Sequence, residues 1–267
     1  MADVHGEGSF KVVYKGAYTH GERAGQPCVM KIVRKTEAAS EQGRDLESVF
    51  DRELEITRKS QEIIDRFNAA ALCASPIFLN RPAVWTFEAA AGAWAGVKCL
   101  VEPFIEGYRK FNSNSGWAAS AERGEAWAEV MQALSHFSYD MTGGSFVLCD
   151  LQGGAHGGGV VLTDPVVMSR DRRYGPQDLG AAGIDGFFAH HKCSRYCRMT
   201  WTQPRDKPGQ VHLPPVSGTS MMDSKSTLLV PSRPARPLAA VIAERAIKGA
   251  LDTGGVGLQR CRCCSGI

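Results

Sequence analysis

Long apolar runs are missing from this sequence: no stretch approaches the roughly 18 uninterrupted apolar residues that a membrane span requires. The opening, MADVHGEGSF, also lacks the basic-then-apolar order of a secretory signal. Both absences point to a soluble protein of the cytoplasm with no membrane partner. Strong charge is missing too, since 267 residues carry a net charge of only +3. That charge is unevenly spread. Residues 198–267 hold ten Lys or Arg against four Asp or Glu, so this part carries +6 and the remainder −3. A diffuse basic tail reads as a solvated or partner-docking segment, and no nucleic-acid partner is expected. There is no internal repeat and no GxxxxGKS phosphate loop.

What is present supports a sizeable core, with 43% hydrophobic residues. Nine cysteines, an odd number without a secretory signal, read as reduced thiols or metal thiolates. The first hundred residues open as strands: Phe10, Val12 and Tyr14 alternate with polar neighbours, and CVMKIV follows at residues 28–33. Between Asp45 and Cys73, Leu46, Val49, Phe50, Leu54, Ile63, Ile64 and Phe67 recur at helical spacing, predicting one or two helices. VKCLVEPFI at 97–105 reads as a buried strand ending at a proline, a natural connection between two lobes. Trp127, Val130, Met131, Leu134 and Phe137 mark another helix, and SFVLCD at 145–150 a strand that delivers Asp150 at its end. Seven of the thirteen prolines lie between Pro204 and Pro237, predicting an irregular tail with a short helix over 238–251.

Three constellations could carry chemistry. HHKCSRYC supplies His191, Cys193 and Cys197, soft ligands suited to zinc, with His136 as a distant fourth. The other reading is buried thiols beside a surface His pair. CDLQGGAHGGGVVLTDP at 149–165 flanks a glycine-rich connection with Asp150, Gln152 and Asp164, oxygen ligands of the kind magnesium takes; read bare, it is a hairpin with acidic ends. GEGSFKVVYKG at 6–16 is a glycine-containing turn that could cover phosphates, with Lys31 on a nearby strand as a point charge or a mere surface lysine. Asn112, Asn114 and Gly116 serve turn geometry, and Cys261, Cys263 and Cys264 resemble half a metal site.

Taken in order, these segments resemble the alpha-kinase family of atypical protein kinases. The resemblance runs from Gly6 to Arg198 and is carried by VEPFIEGYRKFNSNSG at 101–116, ALSHFSYDMTGGSFVLCDLQG at 133–153, LTDP at 162–165, YGPQDLG at 174–180 and HHKCSRYC at 190–197. It implies a two-lobed, protein-kinase-like α+β fold: a β-rich N-lobe over about 1–100, a mixed C-lobe over about 105–200 with a structural zinc, and a Pro-rich basic tail, largely disordered, over 201–267. It implies an ATP-dependent protein serine/threonine kinase. In that likeness Lys31 contacts the ATP phosphates, Gly8 and Ser9 lie over the nucleotide, and Glu102 and Phe104 lie in the hinge beside adenine. Asp150 is the catalytic aspartate that orients and deprotonates a Ser or Thr hydroxyl of a protein substrate, Gln152 and Asp164 hold Mg2+, and His136, His191, Cys193 and Cys197 bind Zn2+.

Two departures stand out. Asp178 in YGPQDLG occupies the place where the family pattern has Asn, and is expected to accept hydrogen bonds or meet metal. The GGAHGGG stretch is longer than the pattern between Asp150 and Asp164. These features leave a second reading, a non-catalytic zinc-stapled pseudokinase or scaffold. A zinc hydrolase fits less well, because a His2Cys2 site is closed to water.

Overall fold

The computed structural model describes residues 4–8, 10–34, 46–119, 126–156 and 158–204. Ser9, the tail beyond Pro204 with its expected helix at 238–251, and Cys261, Cys263 and Cys264 lie outside them. No described helix is long and apolar enough to cross a membrane.

The chain divides into two compact units. The first carries strands β1 (Val4–Glu7), β2 (Lys11–Ala17), β3 (Pro27–Val33), β5 (Ala83–Thr86) and β6 (Lys98–Pro103). They form one antiparallel sheet in the order β1-β2-β3-β6-β5. Alternation along these strands separates two faces. One buries Tyr14, Cys28, Ile32, Cys99 and Val101, packed by Trp85 and Trp94. The other carries Lys31 opposite Leu100, with Glu102 two positions further along β6.

The second unit holds helices α1 (Leu46–Ala69), α2 (Ala126–Met141) and α3 (Ala181–His190). The expected first lobe of residues 1–100 is therefore divided. The single 24-residue helix α1 and strand β4 (Ile77–Leu79) follow the second unit, because Ile63, Ile64 and Phe67 pack into one core with Met131 and Leu134 of α2. Pro82–Phe104 returns to the first unit, so the expected boundary at the proline falls after Phe104.

A four-stranded sheet in the order β4-β10-β9-β7 joins β7 (Arg109–Lys110), β9 (Gln152–His156) and β10 (Gly159–Thr163), with β4 and β10 parallel. Strands β8 (Phe146–Cys149) and β11 (Val166–Ser169) pair apart from it. Helix α2 lies against β8, and Ser138 pins the two: its hydroxyl accepts the Leu148 N–H at 2.8 Å and donates to the Ser135 carbonyl at 2.6 Å. Each fully buried large apolar side chain between α2 and β8, such as Leu134 and Leu148, contributes about 1.5–3 kcal/mol, which fixes the strand that ends beside Asp150.

The unit also continues past the expected tail boundary at residue 201. Trp201 is buried in its core, and the Thr202 N–H donates to Asp140 at 2.8 Å.

Candidate active site

The β9–β10 hairpin sets the geometry. Its ladder runs from Gly159 opposite His156 to Thr163 opposite Gln152, so Asp150 precedes one leg and Asp164 follows the other. Gly153 and Gly154 of the glycine-rich stretch pair with Leu162 and Val161, so the base of the hairpin is in register. Both aspartates have left-handed backbone, Asp150 at φ 57° and Asp164 at φ 46°. That conformation costs a non-glycine residue about 1–2 kcal/mol, and such strain collects where side chains must be aimed.

Asp150 is 4% exposed. The Lys110 ammonium lies 2.5 Å from its Oδ1, a buried ion pair. Gln152 Nε2 donates at 3.4 Å to Asp150 Oδ2 and at the same distance to the Asp164 carbonyl. Burial raises the Asp150 carboxyl's proton affinity, the Lys110 charge lowers it, and Asp164 raises it. The Asn114 N–H also reaches Asp150.

The KFNSNSG turn does two jobs. Asn112 is structural: its Oδ1 accepts the Leu151 N–H at 2.9 Å, and its Nδ2 donates to Ser135 at 3.0 Å. Asn114 donates from Nδ2 to the Gln177 carbonyl at 3.0 Å, but its Oδ1 is buried without a partner among the described residues. An orphaned amide oxygen on the residue whose N–H reaches the Asp150 carboxylate suits a hard cation, which takes oxygen ligands. Lys110 and Asn114 were missed as site residues because the segment reads as a turn. Their signal was a lysine two residues before an Asn-rich turn, and only the fold aims it.

Asp178 does not join this cluster. Its Oδ1 accepts from the Ser169 and Gly180 amides at 2.9 Å each, and its Oδ2 from the Ser169 hydroxyl at 2.5 Å and the Tyr174 amide at 3.3 Å. Four local donors use both oxygens, so the acid caps its own loop.

In the first unit, Lys31 Nζ lies 2.5 Å from Glu102 Oε1, and both side chains are almost wholly buried. Glu102 thus turns toward the strand lysine. Phe104 donates its amide to the Pro27 carbonyl at 3.0 Å, and the Lys15 ammonium sits 3.9 Å above its ring. The Gly8 N–H closes the β1–β2 turn onto Lys11 O at 2.9 Å.

The four expected soft ligands come together. His191 Nε2 lies 3.2 Å from His136 Nδ1, Cys193 Sγ 3.7 Å from each of these nitrogens, and Cys197 Sγ 3.7 Å from His191 Nε2. All four ligand atoms fall within 4.8 Å of one another. Zinc bonds of about 2.0–2.1 Å to nitrogen and about 2.3 Å to sulfur give a tetrahedron with edges of roughly 3.3–3.8 Å; the four separations of 3.2–3.7 Å match those edges, and the donor set of two imidazoles and two thiols suits this ion. His136 Nε2 donates to the Thr202 carbonyl at 3.1 Å, which leaves Nδ1 as the lone-pair atom facing the cluster. Burial lowers both imidazoles' proton affinity, His191 to about 4, and keeps them neutral as ligands must be.

A family model described as the alpha-kinase family matches residues 6–197. Alpha-protein kinase 1 of Dictyostelium discoideum is 33% identical over 180 residues, covering 64% of this chain and 12% of that protein. Human transient receptor potential cation channel subfamily M member 7 is 30% identical over 200 residues, covering 66% of this chain and 10% of that protein. The chain thus spans about a tenth of the length of these curated relatives. The alpha-kinase domain of myosin-II heavy chain kinase A, solved with AMP-PNP, superposes with a TM-score of 0.57 at 21% identity over 73% of this chain and 83% of that one.

Proposed function

The chain belongs to the alpha-kinase family, and from that premise we propose that it is an ATP-dependent protein serine/threonine kinase with Asp150 as its catalytic aspartate. The observation that carries the reading is that buried Asp150 meets Lys110 of β7 and Gln152, with the Asp164 carbonyl held by the same Gln152 at the base of one hairpin.

In this reading Asp150 accepts the hydroxyl proton of the incoming Ser or Thr and holds that oxygen in line with the γ-phosphate. Lys110 favours the ionised carboxylate against burial and fixes its position. Gln152, Asp164 and the orphaned Asn114 oxygen hold Mg2+, which supplies charge neutralisation on the phosphates when bound. Lys31, steadied by Glu102, grips the phosphates as a point charge, while Gly8, Ser9 and Phe104 receive the nucleotide. Most of the acceleration is then placement and electrostatics. Asp178 orders the neighbouring loop and takes no metal.

His136, His191, Cys193 and Cys197 hold one structural zinc, tying α2 to the segment after α3. A reducing compartment such as the cytoplasm keeps both thiols available to the ion.

The test is transfer of labelled phosphate from ATP with Mg2+ to a basic test protein, wild type beside Asp150→Ala. Labelling in the wild type alone is expected. Equal labelling of both proteins would remove Asp150 from the mechanism, and zinc-replete protein that binds ATP without any transfer would return the chain to a scaffold role.

A further inference from the structure

A groove of about 620 Å³ opens in the second unit, at the opposite end of β8 from Asp150: Phe146 begins that strand and lines the groove. Three separate segments build it. Lys59, Glu62 and Arg66 share one face of α1, the α2–β8 turn contributes through Phe146, and Arg170 follows β11.

Its charges do not cancel. Glu62 is shared between Lys59 at 3.1 Å and Arg66 at 3.4 Å. Asp171 is taken up by Arg173 at 2.7 Å. Arg170 has no carboxylate partner among the described residues. Its Nε donates to the Gly144 carbonyl at 3.1 Å and its Nη2 to the Tyr139 hydroxyl at 3.3 Å.

That anchorage is built in. Tyr139 is 3% exposed, and Gly144 sits at φ 81°, where an added Cβ would stand 3.0 Å from the Tyr139 hydroxyl. Two neutral acceptors thus aim the guanidinium, with no carboxylate and no hydrogen bond from Nη1 among the described residues. Pre-aimed, unpaired Arg is how proteins bind carboxylates at low ordering cost. Four cations, Lys59, Arg66, Arg170 and Arg173, against two acids, Glu62 and Asp171, leave this concave surface with a positive surplus that suits an anionic occupant. The chain's own segment 198–267, at +6, has the wrong sign.

We propose that this groove docks a short acidic peptide segment of the protein on which the chain acts, one carboxylate meeting Arg170 and another the Lys59–Arg66 pair. The docked protein's being a substrate rests on the kinase reading; the docking itself does not.

The experiment is fluorescence anisotropy of the full chain, without nucleotide and at low ionic strength, with a labelled peptide carrying a run of glutamates. The double variant Arg66→Ala/Arg170→Ala removes two exposed groups and should keep the wild-type circular dichroism, with Tm lowered by no more than the loss of Arg170's two hydrogen bonds to Gly144 and Tyr139. Its affinity is expected to fall about ten-fold or more, as the peptide's does when glutamine replaces glutamate. With a phosphorylatable version of the peptide, the double variant should raise KM and leave kcat unchanged. Equal affinity of wild type and double variant would assign binding to the basic tail and overturn the proposal, as would a wild type that does not bind. Binding that survives in a chain unable to transfer phosphate would sink the kinase reading alone.

Discussion

Lys110 and Asp150 meet in a buried ion pair, 2.5 Å between ammonium and carboxylate, although one belongs to β7 and the other follows β8. Burial works against the ionised Asp150 and prevails, raising its proton affinity, while Lys110 offsets part of that effect. Removing one partner of a buried pair costs about 3–5 kcal/mol because the other charge is stranded.

Lys110→Met is therefore expected to lower stability by an amount of that order, read by urea unfolding. It should also reduce kcat by about 10² or more, since it removes an aimed charge from the transfer site. Adding Asp150→Asn should restore much of the stability and none of the transfer. A double variant as unstable as Lys110→Met would show that the pair is not the cause.

The sequence displayed the elements and hid the pairings. The alternation of Val12 and Tyr14, the spacing of Met131 and Leu134, and the carboxylates flanking the glycine stretch are local patterns, so strands, helices and candidate acids were legible. Lys110 and Asn114 were not, because what makes them site residues is proximity to Asp150 across the fold. Helix α1 was legible as a helix but not as part of the second unit, since only its contacts with α2 decide that. Asp178 was visible as an acid in place of Asn, while the four donors that satisfy it come from Ser169, Tyr174 and Gly180.

Cys193→Ser is expected to abolish zinc binding, from one ion per chain to none by elemental analysis. A structural zinc contributes several kcal/mol to a fold, and for a domain of this size each kcal/mol shifts Tm by about 2–4 °C, so a fall of about 10 °C or more is expected. A chelator such as phenanthroline should do the same to the wild type and little to the variant. A variant that keeps its Tm would place the cluster outside the structural core.

Gly153 and Gly154 invite a reading as phosphate-approaching glycines, but their own chain already crowds them. A Cβ on Gly153 would lie 1.9 Å from the Val161 carbonyl oxygen, and one on Gly154 2.1 Å from that of Glu106. Backbone cannot yield as a side-chain tip can. Either Gly→Ala change is expected to cost about 3 kcal/mol or more through forced backbone shifts. Differential scanning calorimetry checks this, and an unshifted Tm would refute it.

The final prediction separates a loop cap from a metal ligand at Asp178. Asp178→Ala strands three backbone amides and the Ser169 hydroxyl, which should cost about 3 kcal/mol or more. Asp178→Asn keeps one oxygen for the Ser169 and Gly180 amides, and its amide nitrogen can donate to the Ser169 hydroxyl. Only the Tyr174 amide then loses its acceptor, and a loss of about 1 kcal/mol is expected. Mn2+ affinity, read by electron paramagnetic resonance with nucleotide present, distinguishes the two roles. A cap leaves it unchanged in the Asn variant, because the metal's oxygens come from Asp164, Gln152 and Asn114. A ten-fold weakening of Mn2+ with little change in stability would make Asp178 a ligand instead, and would mean that the loop opens to release its carboxylate when metal binds.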